Sequence, residues 1–261
     1  MSGLIDTHCH LDLLDDLEAA LETARQAEVV GMVTIGTRWS RKQDQLGLLQ
    51  HSSPELRIWC AIGTHPDHAH EERLPELDEM EQALSAPGVV AVGEAGLDYF
   101  HGTEEVRPAQ HATFRRHIEA ARVTGLPLVI HARQADDDVA AILRDEHAKG
   151  AFPFLLHCFA AGPALAQTAL ELGGYISFSG LLTFPKCEEI RAVARDVPEE
   201  RLLVETDSPY LAPVPKRGKP NTPGYVAHTA ARLAEVRGME NERLRAVTTE
   251  NAYRLFSRAR P

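Results

Sequence analysis

A chain of 261 residues with 44% hydrophobic and 25% charged side chains has the makeup of a single folded domain spanning residues 1–261, not of a disordered or fibrous protein. Its 27 Lys and Arg against 38 Asp and Glu give a formal charge of −11, which excludes broad coating of duplex nucleic acid but not a local site where a metal centre and a few arginines receive one phosphate. No charged and then apolar leader and no apolar run of about 18 residues occurs, and Cys9, Cys60, Cys158 and Cys187 lack any C-x-x-C spacing, so a cytoplasmic protein with reduced thiols and no membrane association is expected.

The first β-rich run, residues 3–10, ends in His8-Cys9-His10; alternate residues of a strand share a face, so both imidazoles can reach one ion while Cys9 points away. Helical character follows over 14–27, then a β-rich run over 29–36 and a helix over 41–51. The run 58–65 ends in His65; the second His-x-His triplet, His68-Ala69-His70, follows Pro66 and runs into Glu71 and Glu72, as a solvated loop does. After a helix over 74–84, the run 89–96 carries Glu94. The best-defined helix, 106–123, places Phe114, Ile118 and Ala121 at i, i+4 and i+7, with Gly125 as its stop. The run 126–133 ends in His131 and Arg133, a helix occupies 136–147, and the run 154–159 carries His157. Helix 164–172, run 174–179, helix 188–194 and run 202–207 follow, the last ending in Asp207. Five prolines with Lys216, Arg217 and Lys219 make 209–223 a long loop, and helices over 225–236 and 241–257 complete the chain.

Eight β-rich runs alternating with helices imply parallel strands joined by right-handed crossovers, and eight units fit an α/β fold of the (β/α)8 TIM-type barrel class. An open doubly wound sheet shares that alternation, although no G-x-G-x-x-G follows the first run. In a barrel the carboxyl ends of the strands converge on one face. A lone strand-end His is ordinarily a hydrogen-bonded structural group, and an Asp before Ser-Pro ordinarily a turn former. Apolar strands gain nothing by ending repeatedly in such residues unless that face requires them, so His8, His10, Glu94, His131, His157 and Asp207 are the candidate metal ligands. Four imidazoles and two carboxylates suit Zn²⁺, Mn²⁺ or Mg²⁺ and exceed the three ligands of an open catalytic zinc, so two divalent metal ions per subunit are expected, held close by a bridging carboxylate.

The segments Asp6-Thr7-His8-Cys9-His10-Leu11-Asp12, Gly63-Thr64-His65-Pro66, Gly93-Glu94-Ala95-Gly96-Leu97-Asp98-Tyr99, Pro127-Leu128-Val129-Ile130-His131-Ala132-Arg133, His157-Cys158-Phe159 and Glu205-Thr206-Asp207-Ser208-Pro209 together resemble the TatD family of metal-dependent deoxyribonucleases, among the amidohydrolase-like barrels. The resemblance runs from residue 5 to Lys219-Pro220-Asn221 and into Asn251-Ala252. It implies that His8, His10 and Asp207 bind one ion, that His131 and His157 bind another, that Glu94 bridges them, and that the activity is 3′ to 5′ removal of nucleotides from DNA ends, single-stranded DNA above all. One departure stands out: His157-Cys158-Phe159 is followed by Ala160-Ala161-Gly162 where the family usually has Ser-Gly, which removes a hydroxyl but no ligand.

Within that expectation Glu94 and Asp207 are the catalytic candidates, Asp207 as proton acceptor as well as ligand, or as ligand alone. His65 and Arg133 stand at the same end to receive phosphate, Arg133 alternatively pairing with a neighbouring carboxylate. Tyr99, beside Phe100, either stacks on a terminal base or packs a loop. Asn221 is a further substrate-side or supporting residue, with Asp12 and Asp98. Asp6 and Glu205 share strand faces with His8 and Asp207 and are expected to support the ligands through hydrogen bonds to imidazole or water. Two rivals remain: a hydrolase of the same barrel acting on an ester, amide or aminoacyl bond, whose relatives commonly carry a carboxylated Lys where Glu94 stands, and a metal buffer, which needs neither Arg133 nor His65. No obligate protein partner is implied.

Overall fold

The computed structural model describes residues 3–259. Eight parallel strands, β1 (Leu4–Cys9), β2 (Val29–Ile35), β3 (Arg57–Ile62), β4 (Val89–Asp98), β5 (Leu128–Arg133), β6 (Phe154–Leu156), β7 (Tyr175–Phe178) and β8 (Leu202–Val204), pair in sequence order. The ring closes where Cys9 bridges Ser208, with the His10 amide donating to the Ser208 carbonyl at 2.8 Å and the Asp207 amide to the His8 carbonyl at 2.9 Å. The sheet is therefore a barrel and not an open doubly wound sheet. The helices α1 (Leu17–Gln26), α2 (Lys42–Leu48), α3 (Leu77–Leu84), α4 (Arg107–Thr124), α5 (Asp136–Lys149), α6 (Pro163–Glu171), α7 (Glu188–Asp196), α8 (Val226–Arg237) and α9 (Asn241–Leu255) alternate with the strands or follow the last. Among the described residues no helix is long and apolar enough to cross a membrane.

Parallel strands covered on both faces lose the in-and-out alternation of polarity, and every residue of β1 and β4 is buried. Two apolar layers result. The outer one packs side chains such as Leu4, Met32, Phe154 and Ile176 against the helices, including Phe114 and Ile118 of α4. The inner one joins Ile5, Val33, Trp59, Val129, Leu155 and Leu203 with Leu255 and Phe256 of the C-terminal segment. Thr249 donates to the Gly3 carbonyl at 2.8 Å and Asn251 to the Leu202 carbonyl at 2.9 Å, so α9 sits against the amino ends of β1 and β8 and plugs the barrel there. The carboxyl ends are left open.

β6 and β8 are shorter than the sequence suggests because the chain leaves the ladder at residues with positive φ, Cys158 at 42° and Asp207 at 57°. His157 and Asp207 thus stand just past the strands, and His65 lies past β3 on a short 3-10 turn. β4 runs longer and shifts register between Val92 and Ala95, which re-aims the segment carrying Glu94. At Gly96, φ is 152° and a Cβ would approach the His131 carbonyl oxygen to 1.9 Å, so only glycine lets β4 and β5 come together beside that histidine. Gly96→Ala is expected to lose about 3 kcal/mol or more in urea unfolding. By contrast Gly47→Ala, in α2 with no atom within 4 Å of the added methyl, should gain about 0.5–1 kcal/mol. Equal stability of the two variants would contradict the packing of β4 on β5.

Candidate metal centre

The six ligand candidates meet at the open end of the barrel around the Glu94 carboxylate. Its Oε1 lies 2.7 Å from His157 Nε2 and 3.0 Å from His131 Nδ1, and its Oε2 lies 3.4 Å from His8 Nε2. On the Oε2 side Asp207 Oδ1 stands 3.4 Å from His10 Nε2 and 3.6 Å from His8 Nε2. Two donor groups are thereby defined, His8, His10 and Asp207 on one side and His131 with His157 on the other, with one oxygen of Glu94 turned to each. The rings of His8 and His157 stack across the centre at 3.9 Å between centroids.

The outward nitrogen of three of these rings is tied down. His10 Nδ1 donates to the Ile35 carbonyl at 3.1 Å, His131 Nε2 to Asp98 Oδ2 at 3.0 Å, and His157 Nδ1 to Glu205 Oε1 at 3.3 Å. A neutral imidazole has one proton, so each such bond fixes the tautomer and turns the bare nitrogen inward. The inward nitrogens crowd together, His8 Nε2 to His10 Nε2 at 3.3 Å and His131 Nδ1 to His157 Nε2 at 3.3 Å. Lone pairs that close repel unless a proton or a cation lies among them. Burial would raise the Glu94 carboxyl, but the imidazole of His157 and the hydrogen bond to His131 hold it well below the usual range. Burial also opposes a charge on His10, yet the Asp207 carboxylate lifts it to about 9. His157 is likewise lifted well above its ordinary value against burial, by Glu94 and Glu205. Burial and the neighbouring His157 instead lower His8, and a set of four imidazoles and two carboxylates at the end of the barrel fits borderline divalent cations.

Glu205 supports His157 and also accepts from the Cys158 amide at 2.6 Å. Asp6 reaches no imidazole, contrary to expectation: its carboxylate accepts from the Thr206 amide at 2.9 Å and hydroxyl at 2.6 Å, because ring closure lays the segment after β8 directly alongside it. Asn221 is buried, and its amide donates to the Thr206 carbonyl at 2.9 Å and to the Tyr210 carbonyl, so it staples the loop after β8 and has no free donor for a ligand. Tyr99 faces away from the centre, its hydroxyl bonded to Asp138 and its ring under Arg107 at 4.2 Å. Asp12 is exposed. Asp98 proves central to the support of His131; it falls on the same face of β4 as Glu94, four residues on, and that spacing was the available signal.

Above the centre opens a cavity of about 800 Å³ whose wall includes His65 and Arg133. His65 Nδ1 accepts the Asp67 amide at 3.1 Å, so its proton sits on Nε2, which points toward Glu94 Oε1 at 3.6 Å; burial holds its pKa down to about 3, and the ring is a neutral donor. The Arg133 guanidinium lies 4.1 Å over the Phe100 ring and, among the described residues, has no carboxylate partner. Tyr210 and Leu13, which sequence reasoning did not single out, also line the cavity.

Residues 5–257 match the family model of the TatD related DNases. The metal-dependent hydrolase YcfH of Escherichia coli K12, itself named as uncharacterized, is 38% identical over 97% of this chain and 95% of its own length. A protein of Edwardsiella piscicida named 3′-5′ ssDNA/RNA exonuclease TatD is 35% identical over 92% of this chain and 93% of its own. The crystal structure of YjjV, a TatD homologue from Escherichia coli K12, superposes with a TM-score of 0.88 at 29% identity, covering 97% of this chain and 98% of the other. The chain is thus a metal-dependent hydrolase and belongs to the TatD family.

Proposed function

We propose that this protein hydrolyses terminal phosphodiester bonds of single-stranded DNA from the 3′ end, using two divalent ions. The observation that carries this reading is the Glu94 carboxylate divided between two donor groups on the floor of an open cavity, with an arginine at the rim that has no carboxylate partner among the described residues. The activity named for the Edwardsiella relative supports it. His8, His10 and Asp207 would hold one ion, His131 and His157 the other, and Glu94 both. Bound Zn²⁺, Mn²⁺ or Mg²⁺ supplies Lewis acidity toward a phosphoryl oxygen and lowers the pKa of water.

The chain's own groups supply the rest. Asp207 turns Oδ1 to His10 and His8, while Oδ2 takes no part in those contacts and serves as the acceptor for the proton released from water. The left-handed backbone at Asp207, φ 57°, lets its side chain reach inward just past the strand. His65 offers a neutral N–H to a phosphoryl oxygen without adding charge beside the cations. Arg133, held flat on Phe100, presents a planar fork that matches two phosphate oxygens.

With Mg²⁺, Mn²⁺ or Zn²⁺ the protein should shorten a 5′-labelled single-stranded oligonucleotide from its 3′ end in single-nucleotide steps, and should lose this activity in EDTA. An intact oligonucleotide together with deacylation of an aminoacylated RNA would establish the rival ester-cleaving reading instead. Asp207→Asn is expected to lower turnover by about 10²-fold or more with bound metal retained; unchanged turnover would leave Asp207 a ligand only. Arg133→Ala should raise KM about tenfold or more without loss of metal, and parallel loss of both would contradict phosphate binding. Asp98→Asn should weaken metal affinity about 10–100-fold, read by titration against a chromogenic chelator.

A further inference from the structure

The mouth of the cavity is divided by chemistry. Because the strands follow one another around the ring, each wall residue can be placed by the strand it follows. After β2 and β3 stand Arg38, Arg41, Asp67 and His68, with Arg133 at the end of β5; after β7, β8 and, next to it, β1 stand Leu181, Tyr210, Leu211 and Leu13. Arg38 and Arg41 are paired with Glu71 and Asp44, so Arg133 is the cation this polar arc turns toward an apolar arc across the metal centre. Tyr210 is 54% exposed and Leu13 39%, large apolar groups left open inside a cavity, which marks a surface kept for a ligand.

Tyr210 is also held in place. Its amide donates to the Asp207 carbonyl at 2.9 Å and its carbonyl accepts from Asn221. The next residue, Leu211, adopts φ 55°, a left-handed conformation that a branched side chain rarely takes. It is kept there because its carbonyl packs against Gly180, where a Cβ would come within 2.1 Å. The Tyr210 ring stands edge-on to His10 at 6.2 Å between centroids, so a ligand whose phosphoryl group reaches Asp207 brings its attached groups to that ring. Phe100, equally exposed, is already covered by Arg133 at 4.1 Å and met edge-on by His101 at 4.8 Å.

We propose that Tyr210, flanked by Leu13 and Leu211, is a subsite for the base of the terminal nucleotide, stacked on the phenol ring while its phosphate faces Arg133 across the cavity. The assignment rests on the reading of the cavity as a phosphodiester site and adds that the base itself is bound. Stacking tolerates any base and requires it to be unpaired, which selects frayed or single-stranded ends.

The test is calorimetric binding of dAMP and of 2-deoxyribose 5-phosphate to the Mn²⁺-loaded protein. The wild type should bind dAMP about tenfold more tightly than the sugar phosphate. Tyr210→Ala should erase that preference and leave sugar-phosphate affinity within about twofold, and Tyr210→Phe should keep the preference because the ring remains. Equal affinity of the wild type for the two ligands, no measurable binding of dAMP, or equal weakening of both ligands in Tyr210→Ala overturns the subsite. Binding is read without turnover, so an oligonucleotide that is not shortened counts against the exonuclease reading alone.

Discussion

The seam between β1 and the chain just beyond β8 is the constraint on which the rest of the molecule depends. There the Asp207 amide meets the His8 carbonyl, the His10 amide meets the Ser208 carbonyl, and the Asp6 carboxylate takes both the amide and the hydroxyl of Thr206. Thr7 adds a hydrogen bond from its hydroxyl to the Val204 carbonyl at 3.0 Å. These contacts join residues about two hundred positions apart and bring Asp207 beside the two histidines of the first strand. Burial lifts the Asp6 carboxyl well above its ordinary range against the pull of the Thr206 hydrogen bonds. Asp6 therefore belongs to the closure of the ring more than to the metal centre.

Once the ring is closed, the centre is governed by what lies behind the ligands. A carbonyl behind His10 and carboxylates behind His131 and His157 select which nitrogen of each ring faces inward. Glu94 then sits at the meeting point of both groups, and its position follows from the register shift in β4. Loops after the strands add the substrate-facing groups without disturbing that frame, which is the division of labour a barrel permits.

The alternation of strands and helices was legible in the sequence because each unit carries its own apolar period, and so was the set of strand-end ligand types. Strand ends were read too long at β6 and β8, since Cys158 and Asp207 turn through left-handed conformations that apolar patterning does not register. Asp6 does not meet the imidazole expected of it, because the face-sharing rule applies within a strand, whereas its partner Thr206 comes from the far end of the chain. Tyr99, read from its place beyond Glu94, is open in sequence to stacking on a base or packing a loop, and Asn221 to a substrate-side or a supporting role. Their side chains are engaged by Asp138 and by loop carbonyls, pairings that only the folded chain creates. Tyr210 carried no periodic or motif signal; what sets it apart is exposure inside a cavity, a property of the tertiary structure.

The plug formed by α9 and the residues after it has a consequence for the order of folding. Leu255 and Phe256 belong to the inner apolar layer together with Ile5 and Val33 from the opening of the chain. A chain in which residues 241–256 have yet to dock has every strand but no floor to its barrel, with that layer open to water. Packing of the inner layer therefore waits on a segment that follows every strand in chain order, and apolar surface stays exposed until that segment arrives.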